Sequence, residues 1–414
     1  MVSIRTTAVA GVFGLCALAG LMLGAGAWQK APADSKPRTA LVKLDAKRTL
    51  GKPQVYRNLT LVPVYDKSAR PTDSFLTLDE GLKLKQVSVK ESKAGGDVNT
   101  LYVTNDSRKP LYLMGGEVVL GGQQDRTLGR DTIIPPGRKD TPVTVFCVEH
   151  GRWVGHRDFE ASAPSVASAE IRARAQEGEF YAAREAASAP LAEVDAAPNA
   201  APGIAGAHVR PGRANALSNS QSYGDVVQRT GRSGHVSDAQ QKVWDKVAEK
   251  NAKLKTESKT GSYRGALTLS GGDAQKSVPA YLTALSGSLG SDSHLIGVVA
   301  AINGKVVAAD MFSDPILFRK LWPKLLRSYA SDAVEHTPED GKKAPIVSAS
   351  QAKDFLITAT DAKSRIENKS DVSSTVRYES SQAVTYSLVP KPKPAPALGG
   401  GFSGGAVHTG VLGK

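Results

Sequence analysis

The sequence predicts an α+β protein, with a β-rich N-terminal half and a helix–hairpin–helix C-terminal half packed on it. Three observations carry the prediction. Between residues 56 and 150 the apolar residues fall in short runs suited to strands, with one short helix signal among them. From residue 237 onward apolar residues recur at helical spacing. Asn303-Gly304, set between two apolar runs, is a strong signal for a tight β-hairpin.

Residues 1–27 stand apart from the fold. Arg5 supplies a positive start, an uncharged apolar run extends from Thr6 to Ala27, and Ala25-Gly26-Ala27 offers the small residues a signal peptidase requires. The run is also just long enough to span a bilayer, so an uncleaved anchor is the rival. The residues before Cys16, Phe13-Gly14-Leu15, do not form a lipobox. The expectation is an exported protein, periplasmic or extracellular, or one tethered by its N-terminal helix. Without the leader only Cys147 remains, so no intramolecular disulfide can form.

Residues 28–54 read as a flexible Lys/Ala/Pro spacer. A strand is expected over 59–65, its Pro63 suiting a sheet edge. Thr77-Leu78-Asp79-Glu80 has capping-box spacing for a short helix. Strands follow over 86–91 and 101–103, the latter closed by the Asn105-Asp106 turn. Two more are expected over 111–120 and 143–149, the first with Gly115-Gly116 as a bulge ahead of Glu117. Residues 160–235 are an Ala/Pro-rich insert with a helical piece over 169–187. Ser237-Asp238-Ala239-Gln240 then reads as the capping box of a helix burying Val243, Trp244 and Val247. A helix over 278–286, the hairpin around Asn303-Gly304, and a long helix opened by Asp314-Pro315 come next. Pro323 should kink that long helix. A helix over 351–362 and strands over 375–379 and 383–388 complete a single domain at 55–390. The Pro/Gly-rich tail at 391–414 holds one further apolar run, 406–412, which fits a returning edge strand.

The formal charge of +13 favours contact with anionic partners. There is no basic arm with interleaved aromatics, so no specific nucleic-acid binding is expected. Among motifs, Gly116-Glu117 followed by Gly122-Gln123-Gln124-Asp125-Arg126 forms one block. Pro142-Val143 with Cys147-Val148-Glu149-His150-Gly151-Arg152-Trp153 forms another. Val243-Trp244-Asp245, Asn303-Gly304-Lys305 and Trp322-Pro323-Lys324-Leu325-Leu326-Arg327-Ser328-Tyr329 follow. In this order the motifs resemble the ADP-ribosylglycohydrolase and rhodanese-phosphatase-superfamily-associated protein domain family. The resemblance implies one domain and no mechanism. The family's name records only an association with enzymes that process ADP-ribose or phosphoesters.

Glu117 and Glu149 are carboxylates set in apolar runs, which is costly unless they are paired. They are the candidate catalytic acid and base, on the expectation that apolar surroundings raise a carboxyl pKa. Gln124, Arg126, Arg152 and Arg327 are the candidate ligand-binding residues, the arginines for a carboxylate or phosphate. The rival reading makes the glutamates buried Glu–Arg pairs. Cys147 has no evident activating base and reads as an inert core thiol. His150 and His156 lack a third ligand, so no metal and no cofactor is expected. Three functions stay open: binding of a small or polymeric ligand, an anionic one in particular, in a Glu/Arg-lined cleft; hydrolysis of a phosphoester or ADP-ribose-type substrate; and a purely structural scaffold.

Overall fold

A computed structural model describes residues 44, 46–91, 99–152, 159, 165–188, 234–268, 272–338, 343–360, 364–391 and 405–414. The expected leader, most of the Ala/Pro insert, Trp153, His156 and residues 392–404 lie outside these. No helix among the described residues is long and apolar enough to cross a membrane.

In chain order the strands and helices begin with β1 (Arg48–Leu50), β2 (Gln54–Tyr56), β3 (Leu59–Asp66), β4 (Leu76–Thr77), α1 (Leu78–Lys83), β5 (Val87–Lys90) and β6 (Thr100–Asn105). Next come β7 (Leu111–Leu113), β8 (Val118–Val119), β9 (Arg126–Leu128), β10 (Thr132–Ile134), β11 (Thr141–Cys147) and α2 (Ala169–Ser188). Three helices follow, α3 (Gly234–Leu254), α4 (Arg264–Thr268) and α5 (Gly272–Leu285), then the hairpin β12 (Leu295–Ile302) and β13 (Lys305–Phe312). The remainder is α6 (Pro315–Glu335), α7 (Ala349–Thr360), β14 (Ser364–Lys369), β15 (Ser373–Glu379), β16 (Ala383–Pro390) and β17 (His408–Gly413).

The fold is α+β, with its strand-rich half N-terminal. One nine-stranded sheet runs β1-β3-β12-β13-β17-β16-β15-β14, with β2 also paired to β3. One of its faces carries the main core, where Leu61, Val298 and Phe312 meet Ile171 of α2, Val243 of α3, Tyr281 of α5 and Leu321 of α6. The other face packs Val62, Val299 and Val411 against Leu356 of α7. A five-stranded sheet (β5-β6-β11-β9-β8) and a three-stranded one (β10-β7-β4) share their own core of Leu101, Leu113, Leu128 and Val145.

Local signals hold closely. Thr77 and Glu80 form both bonds of the capping box, and Asp314 caps α6 with Pro315 behind it. Asn303 and Gly304 both have positive φ, 51° and 79°, as a type I′ turn requires. The long helix α6 continues past Pro323 to Glu335.

Four expectations are corrected. The spacer at 28–54 includes β1 and the first residue of β2; both strands pair with β3, and Arg48 of β1 donates to Asp66 at 2.8 Å. Pro63 therefore lies inside the sheet. Its carbonyl accepts from Gly51 N in the gap between β1 and β2, and its missing N–H falls on that same side. The third correction is that α3 begins at Gly234, one turn before Ser237. Gln240 makes no capping box, because its side chain bonds both the N–H and the carbonyl of Cys147, each at 2.8 Å. The last concerns the tail strand β17, which is not at an edge. It is hydrogen-bonded on both sides, to β13 and β16. β14 is a strand that the sequence patterns missed.

Candidate functional site

The run 111–120 is not one strand. Gly116, at φ 94°, turns the chain between β7 and β8, and a Cβ there would collide with the side chain of Arg172. The turn aims Glu117 inward, where it is 1% exposed. Its Oε2 accepts from Met114 N at 2.7 Å, and its Oε1 lies 2.5 Å from Lys324 Nζ of α6. Lys324, also 1% exposed, bonds Asp79 of α1 as well. Burial disfavours the Lys324 ammonium, but Glu117 and Asp79 outweigh it and lift its pKa. Burial pushes the Glu117 carboxyl up, against the pull of Lys324.

Glu149 belongs to a different cluster, just past the end of β11. Gly121 and Gly122 have positive φ and fold the 121–126 loop around Asp125, which is 1% exposed. Asp125 Oδ1 accepts from Gly121 N (3.0 Å), Arg152 Nη2 (3.2 Å) and Arg264 Nη2 (3.1 Å). Glu149 accepts from Arg152 Nε at 2.8 Å, Thr260 Oγ1 at 2.8 Å and Asp125 N at 3.3 Å. Burial raises its pKa, but these donors overcome it and hold Glu149 below the ordinary carboxylate range. The raised pKa expected from apolar surroundings is therefore corrected for Glu149. Arg152 also donates to the carbonyl of Gly122 at 2.8 Å.

Arg126, 2% exposed, donates to Gln124 Oε1 at 3.2 Å and lies 3.6 Å from Glu91. Gln124 in turn donates to the His150 carbonyl at 3.4 Å. Four of the six candidates, Gln124, Arg126, Glu149 and Arg152, thus converge on one cluster. Its charged members are three carboxylates (Glu91, Asp125, Glu149) and three guanidiniums (Arg126, Arg152, Arg264). Glu117 sits with Lys324 instead and shares no side-chain partner with Glu149, so the two glutamates do not form an acid/base pair. Arg327 is half-buried on α6 and joins neither cluster; burial alone lowers its pKa. Cys147 is fully buried, and burial pushes its thiol pKa up. No group of three metal-ligating side chains occurs among the described residues.

A third network was missed by sequence reading. Arg172 of α2 grips Asp310 of β13 through Nη1 at 3.0 Å and Nη2 at 2.5 Å, and donates to Tyr386 OH at 2.5 Å. Tyr329 OH donates to the same aspartate. His408 of β17 bridges Asp131 (2.6 Å, Nδ1) and Asp310 (3.1 Å, Nε2). All four charged groups are 0–1% exposed. Burial would lower the His408 pKa, but the two aspartates lift it to about 9. The signal was available: Asp310 and His408 stand in apolar strands just as Glu117 does.

A cavity of about 300 Å³ opens elsewhere, where the start of α2 meets α3, the end of α6 and the β12–β13 turn. None of the six candidate residues lines it. No curated protein and no solved structure matches the chain. A model of the ARG and Rhodanese-Phosphatase-superfamily-associated Protein domain matches residues 47–195 and 199–397. Those residues hold every charged member of the three networks except His408, and the chain belongs to the ARG and Rhodanese-Phosphatase-superfamily-associated Protein domain family.

Proposed function

We propose that this protein is a noncatalytic binding protein, exported or held at a membrane by its N-terminal segment, whose Glu/Arg motifs brace the fold internally. One observation carries the reading: both motif glutamates are already committed to cationic partners inside the protein, Glu117 to Lys324 and Glu149 to Arg152. A general acid or base needs a proton-exchanging group within reach of substrate. Glu117 is buried under α6, and Glu149 is kept ionised by three donors.

Glu117→Gln and Glu149→Gln are each expected to lower the melting temperature, with no phosphoester or ADP-ribose hydrolysis by the parent protein. An unchanged melting temperature together with loss of a measurable hydrolytic turnover would overturn the reading in favour of an enzyme. N-terminal sequencing of the mature protein tests export by cleavage, with a new N-terminus expected close after Ala27. A mature chain starting at Met1 removes cleavage and leaves the tethered form.

A further inference from the structure

The cavity beside α2 combines two features that together specify a ligand class. Its walls include Ile302, Val306 and Val307 from the hairpin, which give it an apolar side. Its charged lining is nearly self-neutralised. Lys250 is held by Asp332 at 2.6 Å and by Glu335 at 2.7 Å, and Lys246 by Glu170 at 2.8 Å. Lys305, exposed at the start of β13, lines the same cavity and has no carboxylate partner among the described residues. The start of the 20-residue helix α2 also lines it, through Ser168 and Ala169. Ser168 Oγ accepts from Ile171 N as a cap, and Asp332 accepts from Ala169 N. Both N–H groups are thus already bonded within the protein, which leaves Lys305 as the cation open to a ligand.

One uncommitted cation and an apolar wall suit a ligand with one anionic head and an apolar body. The volume sits at the lower limit of small-molecule sites, about 300–1,000 Å³. It excludes the two chains of a membrane lipid and admits a short single-chain amphiphile. We infer that this cleft is the binding site for a small amphiphilic anion, a carboxylate or phosphate on an apolar body, with Lys305 holding the head. The inference rests on the binding reading above and gives it a place and a chemistry.

The full-length protein is titrated calorimetrically with hexyl phosphate, inorganic phosphate and hexylammonium, and hydrogen exchange is followed over residues 168–170 and 302–307. Hexyl phosphate is expected to bind at least tenfold more tightly than inorganic phosphate, to protect both segments, and to outcompete hexylammonium. Lys305→Glu, at an exposed position, should weaken it at least tenfold with an unchanged melting temperature, and Val307→Asp should weaken it through the wall. Equal binding of the two phosphates, indifference to Lys305→Glu, or binding by no probe overturns the inference. Protection by phosphatidylglycerol vesicles but not by hexyl phosphate overturns it in favour of a lipid surface. If hexyl phosphate binds with protection elsewhere, the cleft is wrong and the binding reading survives. Turnover lost in the glutamine variants at unchanged melting temperature removes that reading whatever the cleft binds.

Discussion

Glu117 and Glu149 look alike in sequence and differ in what their loss would do. Glu117 is an acceptor for a buried ammonium and for a buried amide, Met114 N. Removing its charge leaves Lys324 to Asp79 alone, and breaking a buried pair costs about 3–5 kcal/mol. Glu149 accepts from an arginine that also holds Asp125 and the Gly122 carbonyl. Gln at 149 keeps one acceptor oxygen, so its cost should be nearer the roughly 1–3 kcal/mol of an unsatisfied buried group. Of the two variants, Glu117→Gln should therefore show the larger drop in melting temperature. The same reasoning explains Gln124 and Arg126, whose side chains bond each other as well as neighbouring loops.

Among the elements, β17 is the one whose position constrains sequence most tightly. Gly410 lies opposite Asp310 on one side and Tyr386 on the other. A Cβ at Gly410 would collide with the ring of Tyr386, itself buried and bonded to Arg172. Gly410→Ala is expected to destabilise by about 1–3 kcal/mol through overpacking, read as a lower midpoint in chemical denaturation; an unchanged midpoint would mean that the Tyr386 ring is free to move. Elements specified by neighbouring residues were legible in the sequence, among them the Thr77 box, the Asn303-Gly304 turn and the Asp314-Pro315 start. Partnerships across long separations were not. Arg172 meets Asp310 across 138 residues, and His408 meets Asp131 across 277. No local period reports such a meeting, so by its sequence Arg172 falls in an insert and His408 in an edge strand. The Glu/Arg motif was legible as a cluster because its charges lie on adjacent loops, whereas Glu117 departs from it through Lys324, 207 residues away.

At the scale of the whole molecule, the buried charges set a pH window. Arg172, Asp310, His408 and Asp131 balance only when the imidazole is protonated. The His408 pKa is raised from 6.5 to about 9 in the folded protein. Its contribution is thus fully present below 6.5 and fades as pH rises through 9. At about 1.4 kcal/mol per pH unit, that is roughly 3 kcal/mol. Glu149 and Glu335 have lowered values, so their contributions fade instead as pH falls below the ordinary carboxylate range. Stability measured by denaturation should hold up to about pH 6.5 and decline between pH 6.5 and 9, and His408→Gln should flatten that decline; a flat profile in the parent protein would contradict it. The site of this charge has a further consequence for how the chain is made. Ribosomes deliver β13 and β16 before residues 408–413, the strand that seals the gap between them. Until those residues emerge, the nascent sheet has two open edges able to pair with other chains, so a stalled or nicked polypeptide that lacks them is the form most exposed to aggregation.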